Sequence, residues 1–133
     1  MNLARAALRL VLGLLYAAAG ALHLLTPDPF LAITPVWVPA PELVVAFTGV
    51  AEIVGAAGLL QPFSPRLRRA AGWSLAAYAL CVWPANFNHM ALDLAKPGGG
   101  LGLGYHVPRL LAQPLIIWLA VWVSRASSAK GRV

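Results

Sequence analysis

Prolines cut this sequence into four apolar stretches, each about as long as a helix must be to cross a lipid bilayer. A helix rises 1.5 Å per residue, so about 20 apolar residues span roughly 30 Å of hydrocarbon. The first stretch runs from Leu3 to Leu25, and Pro27, Pro29, Pro35, Pro39 and Pro41 then forbid continuous helix by removing backbone donors. The second runs from Glu42 to Leu60 and ends before Pro62 and Pro65; the third spans Arg68 to Asn88 and the fourth Pro108 to Ser124. With 133 residues, 60% hydrophobic and 11% charged, a water-soluble fold has too little interior to hide so much apolar surface. The expectation is an all-α fold: a four-helix transmembrane bundle forming a single domain over residues 1–133. A proline-rich outer loop or a short interfacial helix should join helices one and two, since residues 30–37 are apolar but too few to cross. Pro84 is expected to kink the third helix, and the glycine run from Gly98 to Gly104 to form a flexible connection to the fourth.

The net charge of +6 does not read as nucleic-acid binding, because the cations sit at the ends of apolar runs rather than on one soluble face. Arg5, Arg9, Arg66, Arg68, Arg69, Arg125, Lys130 and Arg132 fall on one side of a four-span arrangement, and only Lys96 and Arg109 on the other. Cations are retained in the cytoplasm, so both termini are expected there, in a bacterial-type plasma membrane. Arginines before the first apolar run resemble a secretory leader, but the run continues to Leu25, past the usual 7–15 residue core, and is read as a retained helix. Trp37, Trp83 and Tyr105 suit the outer interface, and Trp73, Trp118 and Trp122 the inner half. Small residues four apart, Gly13, Ala17 and Ala21 on the first helix and Ala51 and Gly55 on the second, suit close helix packing.

Polar groups within the apolar length carry the functional reading. Glu52 lies ten residues after Glu42, about 15 Å along the helix and so near mid-membrane. An acid there must be protonated, paired or in contact with water, and it serves either as a functional group or as a neutral hydrogen-bonded strut. His23 ends the first helix with Tyr16 and Gly20 on its face; Asn86 and His89 end the third; Arg109 opens the fourth with Gln113 one turn deeper. His23, Glu52, Asn86, His89, Arg109 and Gln113 are expected to line one ligand pocket in the outer half with Glu52 at its floor. Arg109 is the natural partner of Glu52 if it reaches inward rather than toward the headgroups. No metal site is expected, because His23, His89 and His106 lack a paired ligand spacing and His106 falls in a loop. Cys81 has no adjacent base, no nucleophile elbow or phosphate loop is present, and no flavin or haem motif appears, so no intrinsic cofactor is expected.

Ala19-Gly20-Ala21-Leu22-His23, Thr48-Gly49-Val50-Ala51-Glu52 with Gly58-Leu59-Leu60, Trp83-Pro84-Ala85-Asn86 and the run Pro108 to Pro114 together resemble small DoxX-like membrane proteins. The likeness covers most of the chain. It implies a compact four-helix fold and a link to membrane redox processes, the family taking its name from a subunit of a thiosulfate:quinone oxidoreductase. The chain departs from the pattern where Leu111-Ala112 stand in place of a proline, which removes an expected bend but keeps Arg109 and Gln113. Two functions follow as expectations. One is a small-molecule or quinone-binding subunit, holding a quinone or lipid-like ligand and relying on a redox partner. The other is an accessory or assembly subunit of a larger membrane complex without activity of its own. A small transporter or proton path fits less well, because only one ionisable residue lies deep.

Overall fold

The computed structural model describes residues 2–126, so Lys130 and Arg132 of the orientation argument lie outside the described residues. Five helices follow one another: α1 (Leu3–Leu25), α2 (Asp28–Ile33), α3 (Pro41–Leu60), α4 (Pro65–Leu94) and α5 (Leu103–Ser124), with no strand among the described residues. Three of them, α1, α3 and α5, are long and apolar enough to cross a membrane. Longer still, α4 is apolar only in its middle, with Arg66, Arg68 and Arg69 in its first turns and Asn86, Asn88, His89 and Asp93 in its last.

Local chemistry sets the boundaries. The Asn2 side chain accepts from the Ala4 N–H, and Ser64 Oγ from the Leu67 N–H, each satisfying a donor that a helix start leaves free. Pro41 and Pro65 occupy first-turn positions where their missing N–H costs nothing. Gln61 staples the α3–α4 turn: its amide donates to the Gly58 and Ser64 carbonyls and accepts from the Ser64 N–H, while Arg68 donates to the Gln61 carbonyl.

The bounds of two helices differ from the sequence reading, α4 starting at Pro65 rather than Arg68. Helix α4 continues through Pro84 to Leu94, and α5 begins at Leu103 rather than Pro108, so His106 lies in a helix and not in a loop. Nor is the glycine run a flexible tether. Gly98, Gly99, Gly100 and Gly102 all take positive φ, and the Gly99 and Gly102 N–H groups donate to the Lys96 and Gly99 carbonyls in successive tight turns.

In packing, α1 lies mainly against α3 and α5 mainly against α4, with α3 against α4 joining the two pairs. Gly20 and Gly49 form the α1–α3 crossing: a Cβ on Gly20 would stand 2.6 Å from the Gly49 carbonyl oxygen, and one on Gly49 would stand 2.8 Å from His23 Cβ. Gly13 receives Leu60 and Gly55 receives Leu75, so two of the small residues singled out in sequence do seat a neighbour, whereas backbone meets backbone between α1 and α3 at Gly20 and Gly49 rather than at Ala21 and Ala51.

The interior is divided. Leu12, Ala56, Leu59, Leu75, Ala76, Ala120 and Val123 close a dry core at the end where α1 and α4 start and α3 and α5 finish. Arg5 lies over the Trp122 ring at that end, 4.7 Å from its centroid, next to the Trp118–Trp122 stack. The opposite half is hollow. Large apolar side chains such as Leu14, Phe47, Val54, Leu111 and Trp118 face outward.

Candidate functional site: a cavity closed by five helices

A cavity of about 450 Å³ occupies the hollow half, walled by Leu12, Leu15, Val45, Val82 and Ile116 and covered by Phe30 and Ile33 of α2. Each long helix turns one 3.6-period face to it: Tyr16 and His23 from α1, Val45, Thr48 and Glu52 from α3, Tyr78, Val82 and Asn86 from α4, and Arg109, Gln113 and Ile116 from α5. Between α1 and α3, where the sequence allows a loop or a short helix with residues 30–37 as its apolar part, residues 28–33 form a short helix, and the Asn88 amide holds it down by donating to the Ile33 carbonyl at 2.9 Å.

Glu52 is 4% exposed, in the middle of α3. His23 Nδ1 lies 2.8 Å from Glu52 Oε2 and also 2.8 Å from the Ala19 carbonyl oxygen. A carbonyl only accepts, so Nδ1 carries the hydrogen and aims it at Ala19; Oε2 stands within ion-pair distance but receives no directed hydrogen bond. The His23 ring stacks on Phe30, centroids 3.7 Å apart. The close glycine crossing of α1 on α3 is what brings His23 to Glu52. Next to this pair, Tyr16 and Tyr78 pack edge to face at 6.3 Å, and the buried Tyr16 hydroxyl has no hydrogen-bond partner.

Five of the six site residues expected from sequence, His23, Glu52, Asn86, Arg109 and Gln113, line this one cavity. His89 does not. It stands behind Arg109, whose Nη1 donates to His89 Nδ1 at 2.8 Å. Arg109 therefore forms no ion pair with Glu52; the extension of α4 to Leu94 and the early start of α5 put His89 beside Arg109 instead. Gln113 donates to the Ala79 carbonyl at 2.6 Å, joining α5 to α4. Tyr78 and Thr48 belong to the lining but were not singled out in sequence; Tyr78, one tyrosine in an alanine-rich stretch, is the signal that could have found it.

A second polar cluster lies at the α4–α5 turn, and its centre, Asp93, was not anticipated. Lys96 Nζ donates to Oδ1 at 2.7 Å, while the Leu101 N–H at 3.1 Å and His106 Nε2 at 2.9 Å reach Oδ2. Bonding to the Lys96 ammonium, then to the Leu101 amide and His106, holds the Asp93 carboxyl well below the usual carboxylate range. Gly100 has to be glycine, because a Cβ there would stand 2.5 Å from Asp93 Cγ and its φ is +57°.

Donor atoms of His89, Asp93 and His106 lie within 4.8 Å of one another, a grouping the sequence spacing did not reveal. Their chemistry does not suit a cation. Arginine has no acceptor, so His89 Nδ1 accepts from Arg109 and its neutral ring carries the proton on Nε2, the atom 3.6 Å from Asp93 Oδ2. Both Asp93 oxygens are already bonded, and Lys96 and Arg109 place two positive charges against the set. The arrangement is a hydrogen-bonded clamp on the turn that carries Arg109.

Compared with known proteins, residues 12–124 match the family model described as Domain of unknown function (DUF8561), and the chain belongs to that family. No curated protein and no solved structure matches it.

Proposed function

We propose that this member of the DUF8561 family is an integral membrane protein that holds an amphipathic small molecule, quinone or lipid-like, in the cavity between its helices. In this reading the apolar middle of α4 is the fourth span beside α1, α3 and α5, completing a four-helix transmembrane bundle, and α2 lies at the outer interface over the cavity. Both termini are cytoplasmic in a bacterial-type plasma membrane. The cation-rich helix ends support that orientation: six of the eight described cations, Arg5, Arg9, Arg66, Arg68, Arg69 and Arg125, lie at the end closed by the dry core. The likeness to DoxX-like proteins belongs to the same proposal, with a redox partner supplying any electron-transfer centre.

One observation carries the reading: polar groups from all four long helices converge on a cavity of about 450 Å³ whose remaining walls are apolar. That is the form of a site that fixes a polar head and accommodates an apolar tail, and its size falls in the range of small-molecule pockets, roughly 300–1,000 Å³. Native mass spectrometry of the gently extracted protein tests it. A retained species of lipid-like mass is expected, lost when Ala112→Phe fills the lining. Absence of any small molecule together with stable co-purification of other subunits would favour the accessory-subunit function.

A further inference from the structure

We infer that the head group held in this cavity is a neutral ring bearing a hydroxyl, which donates to Glu52 Oε2 and pairs with the Tyr16 hydroxyl; the inference rests on reading the cavity as a ligand site. Two polar atoms of the lining are buried and unmatched. Glu52 Oε2 belongs to a residue 4% exposed and Tyr16 Oη to one 8% exposed, and neither has a hydrogen-bond partner. Burying such atoms without partners costs free energy, so a ligand that supplies the bonds is favoured there.

The neighbours decide which chemistry supplies them. Two donors stand beside this carboxyl, the His23 Nδ1–H, which is directed at the Ala19 carbonyl, and the Tyr78 hydroxyl, and neither makes a directed hydrogen bond to Oε2. What Oε2 lacks is a donor. Tyr16 offers a hydroxyl that both gives and accepts, so a ligand hydroxyl donating to Glu52 still has a lone pair for Tyr16. An anionic head is disfavoured, because it would sit against the Glu52 carboxyl while Arg109 is engaged by His89. A group with carbonyls alone satisfies Tyr16 and leaves Glu52 unmet. The surrounding Tyr16, Tyr78, Phe30 and Trp37 supply aromatic faces and edges, which favours a flat ring over an aliphatic alcohol. A hydroquinone-type phenol with an apolar tail meets all of these demands.

Three probes that share a decyl tail separate the possibilities: a hydroquinone, its dimethyl ether and the corresponding quinone. The ether is larger than the hydroquinone and the quinone carries no hydroxyl hydrogens, so shape and hydrogen bonding are distinguished. Binding to the full chain in detergent, measured anaerobically by tryptophan quenching with the Ala112→Phe protein as reference for non-specific partitioning, should favour the hydroquinone roughly tenfold or more over both others. Glu52→Gln should reduce that preference to about threefold or less, and Tyr16→Phe should weaken the hydroquinone and the quinone alike and leave the preference between them in place. The wild-type comparison needs no variant to fold. Equal binding of all three, or tighter binding of ether or quinone, overturns the hydroxyl requirement and leaves the cavity as a ligand site. Binding of none, with another small molecule retained in native mass spectrometry, also overturns it; binding of none with nothing retained removes both this inference and the reading beneath it.

Discussion

Asp93 gathers the donors that hold the α4–α5 turn, yet nothing in the local sequence marks it as a centre. Lys96 is three residues away, Leu101 eight and His106 thirteen, and they meet only because glycines with positive φ fold the chain back over the carboxylate. His23 and Glu52, by contrast, were legible, since a polar side chain within an apolar run is conspicuous wherever the helix goes. The partner of Arg109 was not legible, because it depends on where α4 stops and α5 starts. Acid titration tests the clamp. The folded Asp93 carboxyl titrates below its unfolded value of about 3.9, so its contribution to stability is complete above that value and is lost as the pH falls through the lower, folded one. Thermal unfolding in detergent should find Asp93→Asn less stable than wild type at neutral pH, with the gap closing only below about pH 4. A gap that closes well above pH 4 would show that the Asp93 carboxylate does not carry the effect.

At the scale of helices, the lengths of α1 and α3 followed from the apolar runs and the prolines that bound them, and the structure moves those ends by one residue at most. Helices α4 and α5 ran longer than the hydrophobic pattern, because His89 and Tyr105 find partners in the turn cluster and need not leave the helix. Pro84 sits inside α4 as expected, but Pro108 misled as a helix start: it lies in the second turn of α5, where little of the backbone ladder is lost. The crossing of α1 on α3 decides the site, since Gly20 and Gly49 set the distance between His23 and Glu52. Gly20→Ala or Gly49→Ala should cost about 1–3 kcal/mol by forcing the helices apart, whereas Gly104→Ala, with open space around its added methyl, should be neutral or stabilise α5 by roughly 0.5–1 kcal/mol. Thermal melts of the three variants in one detergent check this, and equal losses at Gly20, Gly49 and Gly104 would refute the close crossing.

Over the whole molecule, charge and packing are divided along the same axis. The end with the dry core carries Arg5, Arg9, Arg66, Arg68, Arg69 and Arg125, and the hollow end carries Asp28, Glu42, Asp93, Lys96 and Arg109, nearly balanced in sign. If the cationic end is cytoplasmic, the cavity opens toward the outer half of the bilayer, where a tailed molecule could enter past α2 without crossing the core. The orientation is testable at two turns that carry an exposed apolar side chain. Phe63, in the α3–α4 turn, is 88% exposed, and Leu101, in the glycine turn, is 58% exposed, its backbone N–H and not its side chain bonding Asp93. In a Cys81→Ser background, which removes the one native thiol, Leu101→Cys should react with a membrane-impermeant maleimide added to intact cells. Phe63→Cys should react only after permeabilisation, because it lies beside the arginines that the positive-inside rule retains in the cytoplasm. The reverse pattern would invert the molecule and put the cavity in the inner leaflet, and labelling of both from outside would remove α3 and α4 as a pair of crossings.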